Sequence, residues 1–147
     1  MNGAGDRLDL PEPDQIGFVV KNIEAAIKMY EPLFGPFNRP DFGGQQASYK
    51  DAAPTPFALD FAFGRAGPLE IELIQWRAGD TPHRDFIESG REGMHHLRYH
   101  VANLSEWTEK VAAAGYGVIW SARLSDDVAY AYCERPGDPL ILEFLQL

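Results

Sequence analysis

The stretch PLEIELIQ at residues 68–75 returns as PLILEFLQ at residues 139–146, so that Leu69, Glu72 and Gln75 recur as Leu140, Glu143 and Gln146, 71 residues on. Each copy reads as a sheet strand with a carboxylate set between aliphatic residues. Burying a carboxylate there is costly unless something compensates it. A chain that does this twice, at the same point of the same strand, constrains its fold strongly. The two strands must be equivalent parts of a repeated unit, and their charges need a shared cationic partner.

The front ends repeat as well. QIGFVVKNI (15–23) aligns with HLRYHVANL (96–104) at an offset of 81, which places Gln15 over His96, Val20 over Val101 and Asn22 over Asn103. Two stretches that match in the same order indicate an internal duplication. The offset shrinks because the first half carries extra residues between its first helix and its last strand. GFVV (17–20) is β-rich, and Asn22 is placed to cap a helix whose Ile23, Ala26, Ile27 and Tyr30 fall at helical spacing. Gly35-Pro36 ends that helix. Residues 38–56, rich in Gly, Pro and polar side chains, predict a poorly regular strand or a loop. FALDFAF (57–63) and LEIELIQW (69–76) read as strands joined at the GRAG turn, and Thr81-Pro82 opens a short helix through Ile87. In the second half GMHHLRYHV (93–101) is a strand, NLSEWTEKVAAAG (103–115) a helix capped by Asn103, and GVIWSA, VAYAYC and LILEFL three further strands.

Each half therefore reads β-α-β-β-β. The predicted fold is α+β: two paired βαβββ modules forming a curved mixed sheet with a central cleft. Module 1 spans about 13–76, a linker helix about 77–92 and module 2 about 93–147, behind a polar leader at 1–12. A length of 147 residues suits one such domain. Net charge −9 argues against nucleic acid as a partner and leaves room for a bound cation. No apolar run approaches the ~18–20 residues of a membrane span, and the leader lacks the apolar core of a secretion signal. A single cysteine, Cys133, allows no intramolecular disulfide and fits a reducing, cytoplasmic location.

Side chains alternate along a strand. Glu72 thus shares a face with Glu70 and Ile74, Glu143 with Ile141 and Leu145, Gln15 with Gly17 and Val19, and His96 with Arg98 and His100. If the modules are equivalent, positions 15, 72, 96 and 143 form two pairs related by pseudo-symmetry. Two carboxylates, an imidazole and an amide oxygen converging on one point make a divalent-metal site, suited to zinc, nickel, cobalt, manganese or iron. Arg98 and His100 are candidate substrate-binding groups, whereas alternation turns His95 to the opposite face, in a structural role. Cys133 reads as a small core residue. Phe57, Phe61, Phe63, Tyr130 and Tyr132 read as core, some of them walling a cavity.

DQIGFVV with its capped helix ending in LFG, then LEIELIQ, GMHHLRYHV and ERPGDPLILEF, taken in this order over residues 13–147, resemble the vicinal oxygen chelate superfamily. That group includes glyoxalase I, methylmalonyl-CoA epimerase, extradiol dioxygenases and bleomycin-resistance proteins. The resemblance implies metal ligands at Gln15, Glu72, His96 and Glu143. It further implies an isomerase- or epimerase-type reaction beside a substrate carbonyl, such as that of an acyl thioester, with Glu143 as first and Glu72 as second candidate base. A homodimer is implied too; separately, the enrichment of aromatic residues at interface cores makes exposed Trp76 or Trp107 the candidate contributors to its interface. Two alternatives stay open. Glyoxalase I, a lactoylglutathione lyase, fits the ligand set, but Val19 stands where that family carries a glutathione-binding arginine. A drug-binding resistance protein would suit the acidic charge. The epimerases' additional glutamate near the second strand has no match in FGGQQASYKDA (42–52).

Overall fold

The computed structural model describes residues 7–147. In chain order the described elements are β1 (Gln15–Val19), α1 (Ile23–Phe34), β2 (Gln45–Tyr49), β3 (Thr55–Ala66), β4 (Leu69–Ala78), α2 (Pro82–Glu88), β5 (Gly93–Val101), α3 (Leu104–Ala112), β6 (Gly117–Arg123), β7 (Ala129–Glu134) and β8 (Ile141–Gln146). The strands form one mixed sheet in the order β1-β4-β3-β2-β6-β7-β8-β5, and β5 pairs back onto β1 to close it. β1·β4 and β5·β8 are parallel; the other ladders are antiparallel.

The sequence repeat appears in the register. Gln15 lies opposite Glu70 in β1·β4, and His96 lies opposite Ile141 in β5·β8, with each residue displaced by the offset of its own stretch. Side-chain caps repeat too. Asn22 Oδ1 accepts from the Ala25 amide and Asn103 Oδ1 from the Glu106 amide, both at 3.0 Å. Gln75 Oε1 accepts from Ile23 N and Gln146 Oε1 from Leu104 N, both at 2.9 Å, tying each last strand to the start of its helix.

Alternation decides what each face of a strand meets. Ile71 and Leu73 of β4 pack with Ile23 and Ala26 of α1. Leu142 and Phe144 of β8 pack with Val111 of α3. Glu72 and Glu143, between these residues, are thereby turned to the face away from the helices. On that face Ala47, Phe57, Trp120, Tyr132 and Ile141, all from strands, make a separate cluster.

Three expectations need amendment. The segment 38–56, expected to be poorly regular, contains the regular strand β2. β2 lies between β3 and β6, and pairing on both edges overrides its weak β propensity. Of the polar leader, residues 1–6 lie outside the described residues, and Leu8 packs against the core around Tyr99 and Phe144. The two tryptophans offered as interface residues are half-buried, not fully exposed. Trp76 Nε1 donates to Gly79 O at 2.8 Å, and Trp107 stacks on Phe144 at 6.0 Å.

The paired caps allow a direct test of equivalence. Asn22→Ala and Asn103→Ala should each lower the unfolding free energy by about 1 kcal/mol in denaturant titrations. A loss at one helix alone would show that the two caps do different work.

Candidate metal centre

β1 runs between β4 and β5, and Gly17 has Glu72 as its neighbour on one side and His96 on the other. One register step away, Arg98 lies opposite Gln15 across β1·β5 and opposite Glu143 across β5·β8. These pairings bring three titratable side chains together. His96 Nε2 is 3.2 Å from Glu72 Oε1 and 3.3 Å from Glu143 Oε1. One donor atom from each of the three lies within 4.8 Å of the others. The absence of a side chain at Gly17 makes this possible, because a Cβ there would stand 2.1 Å from His96 Cε1.

The hydrogen bonding around these groups is one-sided. Gln15 is fully buried, and its Nε2 donates to Glu70 Oε1 at 2.7 Å, so its free end is the amide oxygen. That oxygen, Glu72 Oε1 and His96 Nε2 are buried with no well-formed hydrogen bond. Orphaned buried acceptors beside a histidine nitrogen are a donor set that a divalent cation satisfies. Gln15, Glu72, His96 and Glu143 therefore fit such an ion by their chemistry.

Burial disfavours an imidazolium at His96, yet the Glu143 and Glu72 carboxylates close to its Nε2, able to accept from a protonated ring, outweigh it and raise the pKa to about 9. Burial likewise pushes the Glu72 carboxyl up, opposed by His96. Arg98 is also desolvated, but Asp14 holds its guanidinium charged. Nε and Nη2 donate to the two Asp14 oxygens at 3.0 and 3.2 Å, and Nη2 lies 3.7 Å from Glu70 Oε1. Asp14 and Glu70 thus steady Arg98 and Gln15. Nothing in the sequence beyond the strand face of Glu70 points to either role.

Glu72, Arg98 and Glu143 border a cavity of about 290 Å³ whose other lining residues, apart from Gln45, are apolar or aromatic. All five aromatics expected as core or cavity wall, Phe57, Phe61, Phe63, Tyr130 and Tyr132, line it. Arg98 was expected beside the site and stands there. His100 does not: it is exposed and absent from the cavity wall, four residues beyond His96 and opposite Leu145.

His95 also departs from simple alternation. The β1·β5 register passes from Gly17↔His96 to Phe18↔Met94, so β5 carries one extra residue there. Such a bulge turns consecutive side chains to one side. Both histidines are buried, with their Nδ1 atoms 3.0 Å apart. Behind them His83 Nε2 stands 3.0 Å from Tyr132 Oη, in contact with the His95 and Trp120 rings. Burial drives the His83 and His95 pKa values well below normal. His83 escaped the sequence reading because a lone histidine in a short helix carries no distinguishing pattern.

Since the imidazole occupies the space beside Gly17, Gly17→Ala should displace His96 and destabilise the protein by about 1–3 kcal/mol in denaturant melts. An unchanged melt together with an unshifted His96 NMR resonance would contradict this packing.

The profile of the Glyoxalase/Bleomycin resistance protein/Dioxygenase superfamily matches residues 14–132. Among curated proteins, the uncharacterized protein YqjC of Bacillus subtilis is 29% identical over 93 residues, covering 63% of this chain and 59% of that protein. The chain thus matches little more than half the length of that relative. A hypothetical protein of Bacillus halodurans superposes with a TM-score of 0.65 at 20% identity, covering 92% of this chain and 94% of the other. Methylmalonyl-CoA epimerase of Mycobacterium tuberculosis superposes at 0.60 with 15% identity, covering 90% and 85%. A variant of the Streptomyces coelicolor epimerase bound to 2-nitronate-propionyl-CoA also gives 0.60, at 16% identity over 93% and 94%. At such identities the structures share the fold, while the profile spans most of the chain and carries the assignment. The chain belongs to the Glyoxalase/Bleomycin resistance protein/Dioxygenase superfamily.

Proposed function

We propose that this protein is a metal-dependent enzyme of the isomerase or epimerase type, which moves a proton at the carbon beside a substrate carbonyl. The observation that carries this reading is the meeting of Glu72, His96 and Glu143, the two glutamates on the wall of an apolar cavity, with buried ligand atoms left without a well-formed hydrogen bond. Members of the superfamily typically bind a divalent metal ion. Here Gln15, Glu72, His96 and Glu143 would hold it, one residue each from β1, β4, β5 and β8. Bound there, the ion would act as a Lewis acid toward the carbonyl oxygen and make the neighbouring carbon more acidic.

The rest is the work of the chain. Glu143, on the cavity wall, would leave the ion to take the proton from that carbon, and Glu72, released and protonated in its turn, would return one, with solvent exchange restoring both carboxyl groups. β2 contributes Gln45 to the cavity and no carboxylate, so these two glutamates must serve both steps. The apolar walls keep competing water from the reacting carbon. Arg98, anchored by Asp14, borders the site as a substrate-positioning group. A glyoxalase I reading shares the ligand set. Val19 weakens it, because this residue is fully buried against Ile74 and Phe86 and reaches no ligand. In keeping with the family, the active form is proposed to be a homodimer in the cytoplasm.

Two measurements test the proposal. Protein supplemented with zinc, nickel, cobalt or manganese should carry about one ion per chain by elemental analysis, and His96→Ala should lose it; no stoichiometric metal would sink the reading. Solvent deuterium should exchange into the α-position of a 2-substituted acyl thioester, and Glu143→Gln should cut that rate by roughly 10²–10⁴-fold. Strong glutathione-dependent lyase activity would favour the alternative instead.

The sign of the pH dependence follows from His96. In the metal-free protein its pKa of about 9 means that a proton occupies the nitrogen an ion needs. Metal affinity should therefore rise with pH up to about 9, with proton release on binding that calorimetry in buffers of different ionisation enthalpy will detect. Affinity independent of pH from 7 to 9 would mean His96 is not a ligand.

A further inference from the structure

The cavity beside the carboxylates has a chemistry of its own. Phe61 and Phe63 project from β3 as a stacked pair, their rings 6.0 Å apart and within 6° of parallel. Phe42 stands edge-on to both, at 74° and 72°. Trp120, Tyr130 and Tyr132, from β6 and β7, supply further aromatic wall. Three lining residues are large apolar side chains left largely in water: Phe42 at 54% exposure, Leu124 at 63% and Leu147 at 64%. Such residues are unremarkable singly; gathered round one cavity they mark a surface that an apolar ligand covers.

Charge narrows the ligand further. The cationic side chain on the wall is Arg98, and its guanidinium is already bound through two bonds to Asp14 and flanked by Glu70. The other charged lining residues, Glu72 and Glu143, are anionic. A substrate carboxylate directed away from these residues would enter an aromatic wall with no partner, at the cost of its hydration. An uncharged ring would instead stack on Phe61 and Phe63. The volume of about 290 Å³ lies at the small end of ligand sites, ~300–1,000 Å³.

We propose that the substrate is a small carbonyl compound carrying an uncharged aromatic group, with no carboxylate at the end remote from the carbonyl; this rests on the proton-transfer reading of the same site. The carbonyl faces Glu72 and Glu143, and the ring lies along Phe61 and Phe63.

Calorimetric titration of zinc-supplemented protein with 2-hydroxyacetophenone, hydroxyacetone and 4-(hydroxyacetyl)benzoate tests this without any substitution. The aryl ketone should bind roughly tenfold tighter than each of the others, the scale expected for burying one ring. Phe61→Ala, or Phe63→Ala if the first variant folds poorly, should bring the three ligands within about threefold of one another while metal content stays unchanged. Equal binding of the aryl ketone and hydroxyacetone, or tightest binding of the carboxylated ring, overturns the proposal even where metal uptake is stoichiometric. An aryl preference that persists in protein lacking stoichiometric metal upholds the aromatic ligand and removes the metal-assisted reading instead.

Discussion

Glu72 and Glu143 converge on one nitrogen of a buried histidine ring, largely out of reach of water. Two carboxylates so placed repel one another and forfeit their hydration, and a single imidazolium offsets one charge of the two. The raised His96 pKa records the compensation the metal-free protein can provide by itself. A divalent cation would neutralise both carboxylates and also occupy the unpaired Gln15 oxygen. Much of the surrounding structure makes sense as support for that arrangement. Glu70 fixes the Gln15 amide, Asp14 fixes Arg98, and Gly17 leaves room for the imidazole.

The same arrangement breaks the symmetry of the repeat that creates it. Gly17 in the first half corresponds to Arg98 in the second, by the same offset that relates Gln15 to His96. One half thus gives up a side chain so that a ring can fit, and the other places a guanidinium at the equivalent point. His96 is accommodated beside bare backbone, while Gln15 lies opposite a cation. A repeated scaffold therefore presents unlike walls to whatever enters.

The division between the two sheet faces is just as consequential. Helices α1 and α3 cover the face holding Ile71, Leu73, Leu142 and Phe144, where burial of aliphatic surface stabilises the fold. The other face is covered only in part: α2 brings His83 against Tyr132 and Trp120, and the same aromatic cluster that is buried there also lines the cavity.

How much of this was legible in the sequence depended on periodicity. The repeat of Glu72 at Glu143 and the strand face of His96, read through side-chain alternation, pointed to the three titratable residues that meet, because a parallel register preserves an offset once the strands pair. The helix caps at Asn22 and Asn103 were equally plain, since capping is local chemistry. Whatever relied on neighbours distant in sequence was hidden. β2 is a strand because β3 and β6 flank it, His95 turns inward because of a bulge against Gly17, and His100 lies outside the cavity although its register partner Leu145 lines it. The bond between Asp14 and Arg98 spans 84 residues, and that between Gln15 and Glu70 spans 55. Sequence by itself determined the repeat and the chemical types it carries; only the closed sheet decided which atoms touch, because register, bulges and burial arise from all the strands at once.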